Sequence, residues 1–447
     1  VLTVSHECRL AGADRLIVEA LRAELTLDNP KYQAAKQFGR WIGKQLKPHL
    51  YFYREEGGQL LFPRGFANQA IRICRRISGA DPVVQDLRRQ LADIDLVFKG
   101  ELRPYQEQAV AAVLRHSFGV LEAGTGSGKT VMALAIIARR RQPTLILVHS
   151  KELMYQWQER IEQFLGVASG LAGDGRLAIC PLTVAIVNTA KKHLQVLPSQ
   201  FGQIVVDECH RVPASLFTEV VSAFDCQYML GLSATAFRRE DGMTRLIYMT
   251  MGERVHRVDA RLLAASGAVV RPELDQRLTG FYATYQGEYA KLIKALTEND
   301  LRNRQIVSDL IKLLVPGHAG TVLVVSDRVG HCQALAERMA AAGVPVAVLT
   351  GRTAPEERSR IVAEVRENRV QVLVSTLQLI GEGFDCPGLS TLVLATPIKF
   401  EGRLLQVVGR IMRPAEGKRA RVIDYVDERI PVLRRSAATR RKVFLAW

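Results

Sequence analysis

A chain of 447 residues is long enough for about two to three domains, each with a core of its own. With 48% apolar and 24% charged residues it has an ordinary globular balance, which excludes a disordered or low-complexity polypeptide, and no apolar run reaches the roughly 18 residues of a membrane helix. A net charge of +16 and a pI near 9.7 point to polyanionic partners, most simply nucleic acid. The seven cysteines (Cys8, Cys74, Cys180, Cys209, Cys226, Cys332, Cys386) form no C-x-x-C pair. They support neither a disulfide framework nor a zinc site, and with no evident leader the expectation is a cytoplasmic protein.

Residues 1–95 carry no nucleotide motif and read as a small α+β accessory domain. A helical pattern spans 30–46, with Asp28 or Asn29 to cap it and Pro30 suited to the first turn. Residues 51–54 and 59–62 read as a hairpin around Gly57-Gly58, and a basic helix with Arg72, Arg75 and Arg76 follows over 68–77. Two readings of this block stand side by side. Aromatics interleaved with arginines would stack on bases and meet phosphates, making it a DNA-binding domain. Equally, the aromatics would form the core of a small domain.

Residues 96–270 alternate apolar strands (119–121, 144–149, 183–187, 204–207, 228–232) with amphipathic helices, the pattern of a parallel α/β sheet. Between the first strand and the helical run that follows lies Ala123-Gly-Thr-Gly-Ser-Gly-Lys-Thr130. This is the phosphate loop G-x-x-x-x-G-K-[ST], with Ala123 in place of its first glycine. The backbone of Gly124, Thr125, Gly126, Ser127 and Gly128 would cradle phosphate oxygens at a helix N-terminus. Lys129 would reach the β- and γ-phosphates of ATP, and Thr130 would ligate Mg²⁺. Strand 204–207 delivers Asp207 and Glu208 to its C-terminal end, where open α/β sheets bind ligands. Asp207 would hold Mg²⁺ and Glu208 would orient or deprotonate the attacking water; the bland alternative is a helix cap. Upstream, Gln106 in Leu102-Arg-Pro-Tyr-Gln106 has the amide donor and acceptor to read adenine. Downstream, Ser233 and Thr235 in Gly231-Leu-Ser-Ala-Thr235 could sense the γ-phosphate.

Residues 271–300 read as a linker, with a helical segment over 288–309 that enters the next block. Residues 301–447 repeat the strand–helix alternation (321–325, 346–349, 370–375, 391–395, 422–425) without a phosphate loop. Here Gly381-Glu-Gly-Phe-Asp385 supplies a flexible turn with a carboxylate. Gln406-Val-Val-Gly-Arg410-Ile-Met-Arg413 sets two guanidiniums three apart, hence on one face of a helix. Arginines so placed can stabilise a phosphoryl-transfer transition state, an effect of roughly 10³–10⁵ in rate. From 402 to 447 there are twelve Lys/Arg against four Asp/Glu, a net +8.

Taken in order, these motifs resemble the superfamily 2 helicases and translocases over about residues 100–430. The resemblance implies two tandem RecA-like parallel-sheet lobes with ATP between them and nucleic acid across both. It implies adenine contacts from Arg103 and Gln106, and coupling by His210, Ser233, Thr235 and Gln406. Gly383 and Asp385 would touch the nucleotide, and Arg410 and Arg413 would form the arginine-finger face. Strand contacts are expected from Ser150, Thr189, Ser326, Arg352 and Thr376. Ser233-Ala-Thr-Ala-Phe-Arg-Arg239-Glu240-Asp241-Gly resembles an element of the XPB-like helicases implicated in DNA opening, although a solvated charge cluster would look the same. No thumb-like insertion is visible, and the first block matches no XPB damage-recognition motif; phage recombination helicases and restriction or defence motors resemble the chain as well. Asp-Glu-Cys-His departs from the DEAD-box RNA form, so DNA is the expected partner. The expectation is a monomeric ATP-dependent DNA motor in repair, recombination or defence. The alternatives are an ATP-switched clamp and the motor subunit of a nuclease complex, working with accessory repair or nuclease proteins.

Overall fold

In the computed structural model the described residues are all but 38–40, 42–45, 211–213, 235–243, 315–319, 382–387, 400, 415–417 and 446–447. They fall into two compact units. One comprises Val1–Ala123 and Gly128–Val258; the other comprises Asp259–Trp447 together with the loop residues Gly124–Ser127.

The first unit holds two sheets. All five strands expected for residues 96–270 form, and they belong to one eight-stranded sheet. Its order is Arg176–Ala178, Gly170–Gly173, Leu182–Ile186, Thr144–Val148, Gln203–Val206, Tyr228–Ser233, Phe118–Glu122, Arg254–Arg257. Every pairing is parallel except the first, a hairpin turning at Asp174-Gly175. Central strands such as Thr144–Val148 are buried along their whole length, as parallel strands covered on both faces must be.

The N-terminal residues build a five-stranded mixed sheet ordered Arg54–Glu56, Gln59–Pro63, Glu7–Leu10, Leu2–Val4, Val84–Asp86. The expected hairpin is there, shifted to Arg54–Glu56 and Gln59–Pro63, and Gly57 and Gly58 turn it with φ of 57° and 74°. Tyr51 instead ends a separate two-stranded sheet, His49–Tyr51 against Thr26–Asp28. The helix predicted over 30–46 is Pro30–Gln37; most of its second half lies outside the described residues.

This N-terminal block is fused to the sheet behind it. Leu246 and Met249 of the helix Thr244–Met251 belong to the same hydrophobic cluster as Leu2, Leu21, Phe62 and Phe66. Arg64, 2% exposed, donates to the Cys226 carbonyl at 2.7 Å, and Gly65 lies so close that a Cβ there would meet Gly252 N at 2.4 Å. The following chain is pinned as well: Arg89 N donates to Asp225 O, Ile94 N to Arg141 O and Lys99 N to Phe164 O. Its aromatics and arginines divide: Trp41, Tyr51 and Arg76 are exposed, and others are committed within the unit. Phe62 and Phe66 are buried, Arg72 pairs with Glu253, and Arg75 pairs with Asp81.

The second unit is a six-stranded, wholly parallel sheet ordered Glu273–Leu278, Arg421–Val426, Leu389–Leu394, Thr321–Ser326, Val372–Thr376, Val346–Leu349. The expected strands are all present, and a sixth comes from the stretch read as a linker. The single helix expected over 288–309 is two, Tyr289–Glu298 and Asp300–Leu313, because the Asn299 side chain caps the second by accepting from Arg302 N. Beneath them Arg302 forms a fully buried pair with Asp427 and donates to the Ala395 carbonyl at 2.7 Å, while Thr279 donates to the same Asp427. Arg440 and Asp424 make a second buried pair.

Candidate active site

The phosphate loop follows the strand Phe118–Glu122 and runs straight into the helix Lys129–Arg140. Ala123 is buried, donates its N–H to Ser233 O at 2.9 Å, and has no left-handed backbone, so no glycine is required there. Gly126 and Gly128 do require it, with φ of 84° and 79°. A Cβ on Gly128 would stand 2.4 Å from Gln106 Nε2, which places the Gln106 amide against the loop. Gln106 Oε1 accepts from Arg103 N at 2.9 Å, closing the start of the helix Pro104–Leu114.

Asp207 stands just beyond the strand Gln203–Val206, its N–H bonded to Leu147 O. Both of its carboxylate oxygens are held. Oδ1 accepts from Glu208 N at 2.9 Å, and Oδ2 accepts from the indole Nε1 of Trp157, also at 2.9 Å. Trp157 is 1% exposed and comes from the helix Lys151–Leu165, whose cap is the Ser150 hydroxyl. Burial pushes the Asp207 carboxyl up to about 6, and the neighbouring Glu208 charge adds to the rise; the Trp157 hydrogen bond and Lys129 oppose it.

Glu208 has φ of 47°, a left-handed backbone that a side-chain-bearing residue adopts at a cost of about 1–3 kcal/mol. The carboxylate stands between two groups, Lys129 Nζ at 3.7 Å and His210 Nδ1 at 3.3 Å. His210 Nδ1 is in turn 2.8 Å from Ser233 Oγ, and Cys209 N donates to Leu232 O. Lys129, Glu208, His210 and Ser233 are therefore one polar chain across adjacent strand ends. Lys129 also donates to Ala123 O at 3.2 Å. The sequence reading missed Trp157. Its signal is its place on the helix after Ser150, at a period that buries Met154, Trp157 and Ile161 together.

In the second unit Gln406 is buried and Arg410 lies in the last turn of the helix Glu401–Ile411. Arg413 is not on that helix. The helix stops two residues earlier, just ahead of Pro414, since a residue preceding proline disfavours the helical region. Ser326, expected to contact a strand, is fully buried, and its hydroxyl lies 2.9 Å from His331 Nδ1. His331 Nε2 continues to Asn303 Oδ1, and burial lowers the imidazole pKa to about 3. Thr189 is half-buried in the helix Val187–Lys192, Thr376 half-buried at a strand end, and Arg352 exposed. Thr235, Arg239, Glu240, Asp241, Gly383 and Asp385 lie outside the described residues.

Comparison with known proteins agrees with this geometry. Residues 99–238 match the family model "Type III restriction enzyme, res subunit", and 305–415 match "Helicase conserved C-terminal domain". The two together span more than half of the chain, and the protein belongs to the superfamily 2 helicases. "Probable helicase D10" of Escherichia phage T5 is 28% identical over 305 residues, covering 67% of this chain and 65% of its own. The chain thus spans slightly less than two thirds of that relative. "DNA 3'-5' translocase XPB2" of Sulfurisphaera tokodaii is 26% identical over 368 residues, covering 74% of this chain and 82% of its own. Among solved structures, the ATP-dependent type ISP restriction-modification enzyme LlaBIII bound to DNA shares the fold. Its TM-score is 0.58 at 15% identity, over 77% of this chain and 30% of that one. The two large parallel sheets are accordingly RecA-like lobes, with a small mixed N-terminal sheet beside the first.

The donor set suits Mg²⁺ and a triphosphate. Glycines at 126 and 128 give the loop left-handed turns that free its amides for an anion, and beside it the buried Asp207 and half-buried Glu208 supply oxygen ligands, with the Lys129 ammonium 3.7 Å from Glu208.

Proposed function

We propose that the protein is an ATP-dependent DNA translocase or helicase. The observation that carries this reading is the Asp207-Glu208 pair, the first buried and bonded to Trp157, the second half-buried between His210 and the phosphate-loop lysine. A loop that only bound nucleotide would need neither the second carboxylate nor its strained backbone. The names of the relatives, a helicase and a DNA 3'-5' translocase, support DNA as the track.

In this account Lys129 leaves Glu208 for the β- and γ-phosphates when ATP arrives, and Gln106 reads the adenine edge. Asp207 and Thr130 would hold Mg²⁺, which when bound would supply charge neutralisation at the phosphates. Glu208, released from Lys129, aligns the attacking water and takes its proton. His210 then reports the state of Glu208 to Ser233, at the end of the strand leading to residues 235–243. The arginine-finger role would fall to Arg410 and Arg413, as positive charge for the transferring phosphoryl group. Loss of the γ-phosphate ends that attraction, a two-state cycle able to move the chain along a strand.

ATP hydrolysis measured with single-stranded, duplex and forked DNA and with RNA, alongside Lys129→Ala, tests the proposal. DNA-stimulated multiple turnover that Lys129→Ala lacks is the expected result. Turnover indifferent to every nucleic acid contradicts it, and at most one ATP hydrolysed per molecule would identify a clamp.

A further inference from the structure

The basic excess of residues 402–447 has a definite place in the fold. The helix Pro431–Leu445 carries five cations and no acid. Arg440 alone turns inward, to its buried bidentate pair with Asp424. Leu433, Ala437, Val443 and Phe444 share that inner face, and Leu433 with Ile430 packs on Leu292 and Leu296.

The outer face is of another kind. Arg434, Arg435, Arg441 and Lys442 are all exposed and, among the described residues, pair with no acidic group. At about 100° per residue they occupy an arc of about 120°, in two rows: Arg434 with Arg441 and Arg435 with Lys442. Within a row the seven-residue spacing is about 10.5 Å, close to three nucleotide steps at about 3.4 Å each along a strand. Helix stability does not account for Arg434 and Arg435. The helix dipole favours cations in the last turn, but Arg434 and Arg435 stand near the first turn, where it opposes them. Among the described residues the basic helix Ala67–Ser78 shows a contrast: its exposed Arg72 and Arg75 are tied to Glu253 and Asp81, with Arg76 alone of its arginines lacking an acidic partner.

We infer that the outer face of the helix Pro431–Leu445 is a docking surface for the phosphate backbone of DNA, separate from the ATP-linked motifs. The buried Arg440–Asp424 pair and the apolar inner face hold the two cation rows ready before any partner arrives. Binding there neutralises phosphates and releases counterions, adding affinity without base specificity. The inference rests on DNA being the track proposed above.

The test compares wild type with the combined Arg434→Gln, Arg435→Gln, Arg441→Gln, Lys442→Gln variant. Affinity for labelled duplex and single-stranded DNA is followed across a salt series. Four lost phosphate contacts lower the slope of log affinity against log salt by up to about 3.6 and weaken binding more than tenfold at low salt. ATP hydrolysis without DNA and the melting temperature stay at wild-type values. A companion Arg434→Lys, Arg435→Lys, Arg441→Lys variant keeps the wild-type slope. An unchanged slope in a folded glutamine variant overturns the inference, as does loss of binding to polyglutamate or anionic vesicles while DNA binding is retained. If wild type itself shows no DNA-stimulated hydrolysis, the proposed function fails instead; stimulation with an unchanged slope defeats the docking surface alone.

Discussion

Both lobes bury carboxylates on or just beyond parallel strands, and they treat them in opposite ways. In the second lobe Asp427 and Asp424 each receive a buried arginine, Arg302 and Arg440, with further donors from Thr279 and Gln276. In the first lobe Asp207 has, among the described residues, an indole N–H and a backbone amide as its hydrogen-bond partners, and burial raises its pKa to about 6. A buried carboxylate with its own guanidinium is part of the scaffold. One left short of positive charge is set for a cation that arrives with substrate. The same fold thus holds a structural and a chemical version of one arrangement, separated by what stands opposite the acid.

The comparison breaks if the arginine pairs prove dispensable. Arg302→Ala leaves Asp427 buried without its counter-ion and should destabilise the second lobe by about 3–5 kcal/mol, read as a lowered melting transition. A wild-type melting curve would remove the structural role. Next in size, Lys129→Ala should lower ATP turnover by at least about a hundredfold while leaving the melting curve near wild type, since it removes chemistry and no scaffold.

Trp157→Phe sharpens the first-lobe side. It keeps the ring and deletes the N–H to Asp207, worth about 1.5–3 kcal/mol for a hydrogen bond to a charged group. We expect a drop of roughly tenfold in kcat and a shifted Mg²⁺ dependence, with little change in the KM for ATP. A KM change alone would make the indole a packing group.

The smallest effect is in pH dependence, where two buried groups carry opposite signs. His331 has its pKa lowered from 6.5 to about 3, so the unfolded chain binds the proton more readily and stability is lost as pH falls through that window. His331→Gln should flatten the acid limb of the melting temperature. Asp207 has its pKa raised from 3.8 to about 6, so the folded state holds the proton and metal-free stability falls as pH rises across that interval. Asp207→Asn should remove that fall. Identical profiles for wild type and both variants would contradict the assignments.

The sheets were legible in the sequence because buried parallel strands are continuous apolar runs, such as Thr144–Val148 and Val372–Thr376, bounded by turns. The glycines of the phosphate loop and the Asp207-Glu208 pair were legible because backbone geometry and charge leave few substitutes. Strands such as Glu273–Leu278, half polar and at a sheet edge, carry no comparable pattern, which is why 271–278 read as linker. Fusion of the N-terminal block to the first lobe depends on Leu246, Met249 and Gly65, residues far apart in the chain whose meeting no local period announces. Trp157 was hidden for the same reason, as one of several apolar residues on a helix face until Asp207 stands opposite.

The most direct test is single- and multiple-turnover ATP hydrolysis by Glu208→Gln in the presence of DNA. This substitution keeps shape and removes only the carboxylate charge between Lys129 and His210. Retained ATP binding with turnover lowered at least about a hundredfold is the predicted result. Full DNA-stimulated turnover by the variant would contradict the account of the first-lobe carboxylates on which the proposed motor rests.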